Sequence, residues 1–81
     1  MLRAIDDIDG FEFYVYPDDH PPAHVHVYVP GRQARVALVS LKVLKGADMK
    51  KRHEKKALKL IKINIEELKK AWNKHNEEQQ I

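Results

Sequence analysis

Residues 10–41 read GFEFYVYPDDHPPAHVHVYVPGRQARVALVSL, and the alternation in this stretch decides the fold. Phe11, Phe13 and Val15 point one way and Glu12, Tyr14 and Tyr16 the other, the period-two signature of a half-buried strand opened by Asp9-Gly10. Pro17, Pro21 and Pro22 lack the ladder N–H, so the segment between Tyr16 and Ala23 reads as a stiff surface loop. Ala23, Val25, Val27 and Val29 then alternate with His24, His26 and Tyr28. Pro30-Gly31-Arg32 reads as a hairpin turn, with Gly31 free to take positive φ. A third strand follows, with Val36 and Leu38 inward and Arg35 outward. The strands are expected at about 11–16, 23–29 and 33–41. The stretch 42–45 reads equally as a strand extension, a fourth short strand or a helical turn.

C-terminal to this block the period changes. Gly46 to Asp48 is a break, Asp48 is the expected N-cap, and a helix is predicted over about 49–76. Its apolar stripe is Leu58, Ile61, Ile65, Leu68 and Trp72, in steps of three and four that line one helix face. Glu77 to Ile81 is expected to fray. One apolar sheet face and one apolar helix stripe must cover each other. The expected architecture is a single two-layer α+β domain over 1–81. It is a three-stranded antiparallel sheet, four-stranded if 42–45 joins it, packed on one long C-terminal helix. Both sheet edges are then open to strand addition or dimerisation.

Composition narrows the function. The chain has 81 residues, no cysteine and a net charge of +3. Disulfides, thiolate zinc sites and cysteine nucleophiles are therefore excluded. No apolar run approaches the roughly 20 residues needed to span a bilayer and no signal-peptide pattern opens the chain, which predicts a cytoplasmic protein with no membrane partner. The basic character is C-terminal: ten Lys and Arg against six Asp and Glu from Asp48 on, against five and six before it. A lysine-rich stripe of this kind is either a solvated helix face or a phosphate-contacting surface. There is no glycine-rich phosphate loop and no nucleophile elbow. A body this small has little room for a deep pocket, so an open surface facing a polymer suits it better than a metabolite site.

Period two places Glu12, Tyr14, Tyr16, His24, His26, Tyr28 and Arg35 together on the sheet face that the helix leaves uncovered. Three readings of that face follow. Tyrosines can stack on bases while Arg35, Lys50 and Lys51 hold phosphates, which makes Tyr14, Tyr16, Tyr28, Lys50 and Lys51 the candidate substrate-binding residues for single-stranded RNA. Alternatively His24 and His26 act as an acid–base pair and Arg35 stabilises a pentavalent phosphate, giving a metal-independent, endoribonuclease-like cleavage that needs no cofactor. A weaker third reading takes His20, His24 and His26 as metal ligands. His24 and His26 project from one strand face, but no carboxylate follows them within a few residues; Asp18 or Glu12 is the candidate to complete such a site. A non-catalytic module that binds protein or nucleic acid would use the same face. His53 and His75 read as surface residues and Trp72 as core.

The order Ile8-Asp9-Gly10-Phe11, Phe13 to Tyr16, Asp19-His20-Pro21-Pro22, His24-Val25-His26-Val27 and Glu66-Glu67-Leu68 to Ala71-Trp72 resembles a family of small bacterial proteins, the domain of unknown function family numbered 4160. The resemblance covers nearly the whole chain. Its most specific part is the Asp-His, Pro-Pro, His-Val-His block, from which this chain departs by inserting Ala23 before His24. Members look like components of toxin–antitoxin-type gene pairs. The resemblance therefore implies an RNA-directed role and a cognate small protein partner and assigns no catalytic residue; a homodimer through the open sheet is the other expected partner.

Overall fold

The computed structural model describes residues 2–81. Four strands run in chain order as an antiparallel meander: β1 (Leu2–Ile8), β2 (Phe11–Val15), β3 (His24–Val29) and β4 (Arg32–Ala37). Two helices follow, α1 (Lys51–Ile63) and α2 (Ile65–His75), and then a short 3-10 turn at Glu77–Gln79. The architecture is the expected α+β layering, with two corrections: the sheet has a fourth strand, and the helix is interrupted.

The fourth strand is β1, at the N-terminus, and not the stretch 42–45. Its pairing with β2 slips between Arg3 and Ile5 and again between Ile5 and Ile8. These irregularities put Ala4 and Ile5 together against the core and Asp6 and Asp7 together in solvent, so the period-two pattern is lost. Asp9-Gly10 is accordingly the β1–β2 turn. Asp9 (φ 50°) and Gly10 (φ 83°) both lie in the left-handed region, as a two-residue I′ hairpin requires. The turn at Gly31 (φ 72°) closes β3 onto β4 as expected.

The segment 42–48 instead runs back along β4, bridging Val36 to Val43 and Gln33 to Asp48. Leu44 N–H donates to the Arg35 carbonyl at 2.8 Å and Ala37 N–H to that of Lys42 at 3.0 Å. The outer edge of β4 is thus covered, and among the described residues β1 is the open edge of the sheet. Asp48, expected to cap the helix, exchanges backbone hydrogen bonds with Gln33 and pairs with Arg32 at 2.8 Å. Lys50 occupies the N-cap position, with no side-chain cap.

The helices lie on one sheet face. Phe11, Phe13, Val15, Val25, Val27, Val36 and Leu38 meet Ala57, Ile61, Leu68 and Trp72 in one core. The chain breaks at Asn64 (φ −107°), whose side-chain amide donates to the Leu60 carbonyl at 2.9 Å. Asparagine competes for backbone partners in this way and is a poor helix-interior residue. The apolar spacing continues across the break, so both helices still face the sheet. No helix here is long and apolar enough to cross a membrane.

This packing separates two isoleucine- and leucine-bearing positions that look alike in sequence. Leu68 is fully buried, whereas Ile63 is 69% exposed beside the break. In urea unfolding, Leu68→Ala is expected to lose about 2–5 kcal/mol and Ile63→Ala no more than about 0.5 kcal/mol. Equal losses at the two positions would contradict the placement of the helices.

Candidate functional site

The loop between β2 and β3 has no regular structure, yet it is fastened at both ends of Asp19. Asn76, 2% exposed at the end of α2, accepts the Asp19 N–H on Oδ1 at 2.8 Å. Its Nδ2 donates to the carbonyls of Tyr16 (3.0 Å) and Trp72 (3.2 Å). Gln79 Nε2 donates to the Asp19 carbonyl at 2.7 Å, and the Trp72 indole donates to the Gln79 carbonyl at 2.8 Å. Asp18, with a φ of 53°, donates its N–H to the His75 carbonyl at 3.2 Å. The C-terminal turn expected to fray is therefore part of the site's frame.

Held this way, Asp19 turns its carboxylate onto β3. Oδ1 accepts the His20 N–H at 2.8 Å. Oδ2 lies 3.0 Å from His24 Nε2 and 3.2 Å from His26 Nε2. The His24 ring is buried at 3% exposure, packs against Trp72 with ring centres 5.5 Å apart, and hydrogen-bonds the Pro22 carbonyl through Nδ1 at 2.7 Å. A carbonyl only accepts, so Nδ1 carries a proton there. His26 is half-buried, edge-on to the Tyr16 ring at 4.3 Å.

The electrostatics follow from this crowding. Burial pushes the Asp19 carboxyl up, but hydrogen bonds from His26 and the His20 N–H, with the nearby imidazoles, outweigh it and leave it below its ordinary value. Burial lowers the His26 pKa; the Asp19 carboxylate opposes this, and His24 and Arg35 reinforce it, leaving it below its ordinary value. Burial and the hydrogen bond to Tyr28 push the Tyr16 phenol up to about 12.

The register brings most of the predicted residues onto one face but alters their exposure. His26 pairs directly with Arg35 across β3–β4 and with Tyr14 across β2–β3. Arg35 is exposed and spends one Nη2 contact on the Lys45 carbonyl at 2.9 Å. The Tyr16 and Tyr28 hydroxyls share a hydrogen bond of 3.0 Å. Tyr14 is only 9% exposed, its hydroxyl donating to Glu12 and accepting from Arg3, with its ring against Tyr28. His24 is likewise not open to solvent, so the two histidines do not present a pair of accessible imidazoles. His20 is exposed, and its ring is not in the cluster; Asp19 stands where His20 was expected. Neither Asp18 nor Glu12 completes it. Lys50 and Lys51 sit at the start of α1, where Lys51 pairs with Glu54 at 3.5 Å, and among the described residues no hydrogen bond or ion pair joins them to His24 or His26. Sequence reasoning missed Asn76 and Gln79, because a residue 57 positions from its partner leaves no local signal.

Residues 10–73 match the model of the family described as Domain of unknown function (DUF4160). No curated protein and no solved structure matches the chain.

Replacing Asn76 by Ala strands the Asp19 N–H and the Tyr16 carbonyl, each a group that costs about 1–3 kcal/mol when buried without a partner. Asn76→Ala is expected to lower the unfolding free energy by about 2–4 kcal/mol in urea, and Gln79→Ala by about 1 kcal/mol. A neutral Asn76→Ala would contradict the clamp.

Proposed function

The chain belongs to the DUF4160 family, and we propose that it is a cytoplasmic, toxin–antitoxin-type component that binds single-stranded RNA on its open sheet face. The observation that carries this reading is the cross-strand pair of exposed Arg35 and half-buried His26, flanked by the linked rings of Tyr16 and Tyr28. Arg35 uses a single N–H on Lys45, and a guanidinium has four more to offer a phosphodiester. Tyr28 and Tyr16 supply rings on which bases stack without sequence preference. The helices pack against the opposite face. The toxin–antitoxin part rests on the family resemblance alone.

Burial of His24 favours binding over two-imidazole cleavage. A general base must come within hydrogen-bond reach of the proton it removes, and a ring at 3% exposure does not reach a polymer on the surface. Of the two, His26 is the more accessible imidazole.

The test is fluorescence anisotropy of a labelled single-stranded RNA at low salt. Arg35→Ala is expected to weaken binding about tenfold and to flatten its salt dependence, and Tyr28→Ala to cost about 1–3 kcal/mol. Induction of the chain alone is expected to arrest bacterial growth, and induction of Arg35→Ala at equal soluble expression is not. Absence of binding by folded protein would overturn the RNA reading and leave a protein partner as the ligand of this face. Strand scission abolished by His26→Ala would turn binding into chemistry.

A further inference from the structure

We propose that Asp19, His24 and His26 form a binding site for a divalent transition-metal cation of the zinc class. The inference goes beyond RNA binding and stands without it. One carboxylate oxygen and two imidazole nitrogens lie within 4.8 Å of one another. Tetrahedral coordination with bonds of about 2.0–2.1 Å separates neighbouring ligand atoms by about 3.3 Å. Asp19 Oδ2 is 3.0 Å from His24 Nε2 and 3.2 Å from His26 Nε2, close to that spacing.

The protonation pattern is the stronger argument. His24 Nδ1 donates to the Pro22 carbonyl at 2.7 Å. In the neutral ring Nε2 then carries a lone pair, and that lone pair is buried beside a carboxylate. His24 Nε2 has no hydrogen-bond partner in spite of its 3.0 Å approach to Asp19 Oδ2. A bare Nε2 on a ring at 3% exposure and a carboxylate oxygen 3.0 Å from it repel unless a proton or a metal cation lies between them. A metal-bound histidine characteristically donates its other nitrogen to a backbone carbonyl, which fixes the tautomer and aims the ring. The Pro22 contact does this for His24.

The carboxylate is prepared in the same way. Asp19 Oδ1 is taken by the His20 N–H, and Oδ2, which shares a hydrogen bond with His26 Nε2 at 3.2 Å, is the ligand atom once a metal displaces that proton. Its backbone is anchored on both sides by Asn76 and Gln79. Two imidazoles and one carboxylate favour zinc and its neighbours over magnesium or calcium, which prefer all-oxygen shells. Three protein ligands leave one tetrahedral position for water.

The competing occupant of the gap is a proton on His24 Nε2, and the experiment separates the two. Tag-free protein is stripped with chelator, dialysed and titrated with zinc chloride by calorimetry. The expected result is one zinc ion per chain, with affinity lowered at least about 100-fold in His24→Gln and in Asp19→Asn. His20→Gln and His75→Gln, which lie outside the cluster, should bind as the wild type does. Should the ligand variants fail to fold, wild-type protein answers alone. Cobalt should give the visible absorption of a tetrahedral nitrogen–oxygen site, and zinc should shift the ring nitrogens of His24 and His26 but not those of His20. Saturation without binding, or zinc carried by His20 or His75, would overturn the proposal. RNA is absent throughout, so failure here leaves the RNA reading standing, and the reverse holds.

Discussion

The buried carboxamide of Asn76 is the interaction on which the rest of this structure depends. One side chain at the end of α2 satisfies the Asp19 N–H, the Tyr16 carbonyl and the Trp72 carbonyl at once. Without it, the loop from Tyr16 to Ala23 would keep the Asp18–His75 and Gln79–Asp19 bonds but lose its buried anchor on the Asp19 N–H and the Tyr16 carbonyl. With it, the last helix turn, the loop and the start of β3 become one unit. Buried polar networks of this kind rigidify when every member is satisfied. The Trp72–Gln79–Asp19 relay adds a second fastening made of the same C-terminal turn.

This arrangement explains why a domain with so little core can hold a polar cluster. The meander and the two helices bury one apolar layer, and the helices do not reach the other sheet face. His24 is the exception: it stands at the first position of β3, and its ring packs against Trp72. The cluster therefore sits at the seam between the core and the open face. Asp19 and His24 face the seam, and His26, Arg35, Tyr16 and Tyr28 continue outward from it. A cation at the seam and a polyanion on the face would be neighbours, with His26 common to both.

Much of this is legible in the chain. Alternation finds β2, β3 and β4, and with them the shared face of His26, Arg35 and Tyr28, because a strand's period leaves no choice of side once its core residues are known. The stripe through Ile61, Leu68 and Trp72 finds the helical layer. What escapes is whatever breaks periodicity or acts at long range. β1 escapes because its register slips set Ala4 beside Ile5 on one side and Asp6 beside Asp7 on the other. The break at Asn64 escapes because the apolar spacing runs through it undisturbed; the asparagine itself is the only local sign. The role of Asp19 escapes because its orientation is decided by Asn76 and Gln79, at the far end of the sequence. The burial of Tyr14 follows from Arg3 and Glu12 closing over its hydroxyl, a contact that requires β1 to exist.

Native-state amide hydrogen exchange of Asp19 tests the clamp most directly. A backbone N–H in an irregular loop ordinarily exchanges through small local openings, whereas one fastened into the core exchanges only when the whole domain unfolds. The account predicts that the Asp19 amide is as slow as that of Phe13 in the central sheet. An Asp19 amide exchanging at the rate of exposed loop amides would show that the loop is not held, and the Asp19–His24–His26 cluster would lose its foundation.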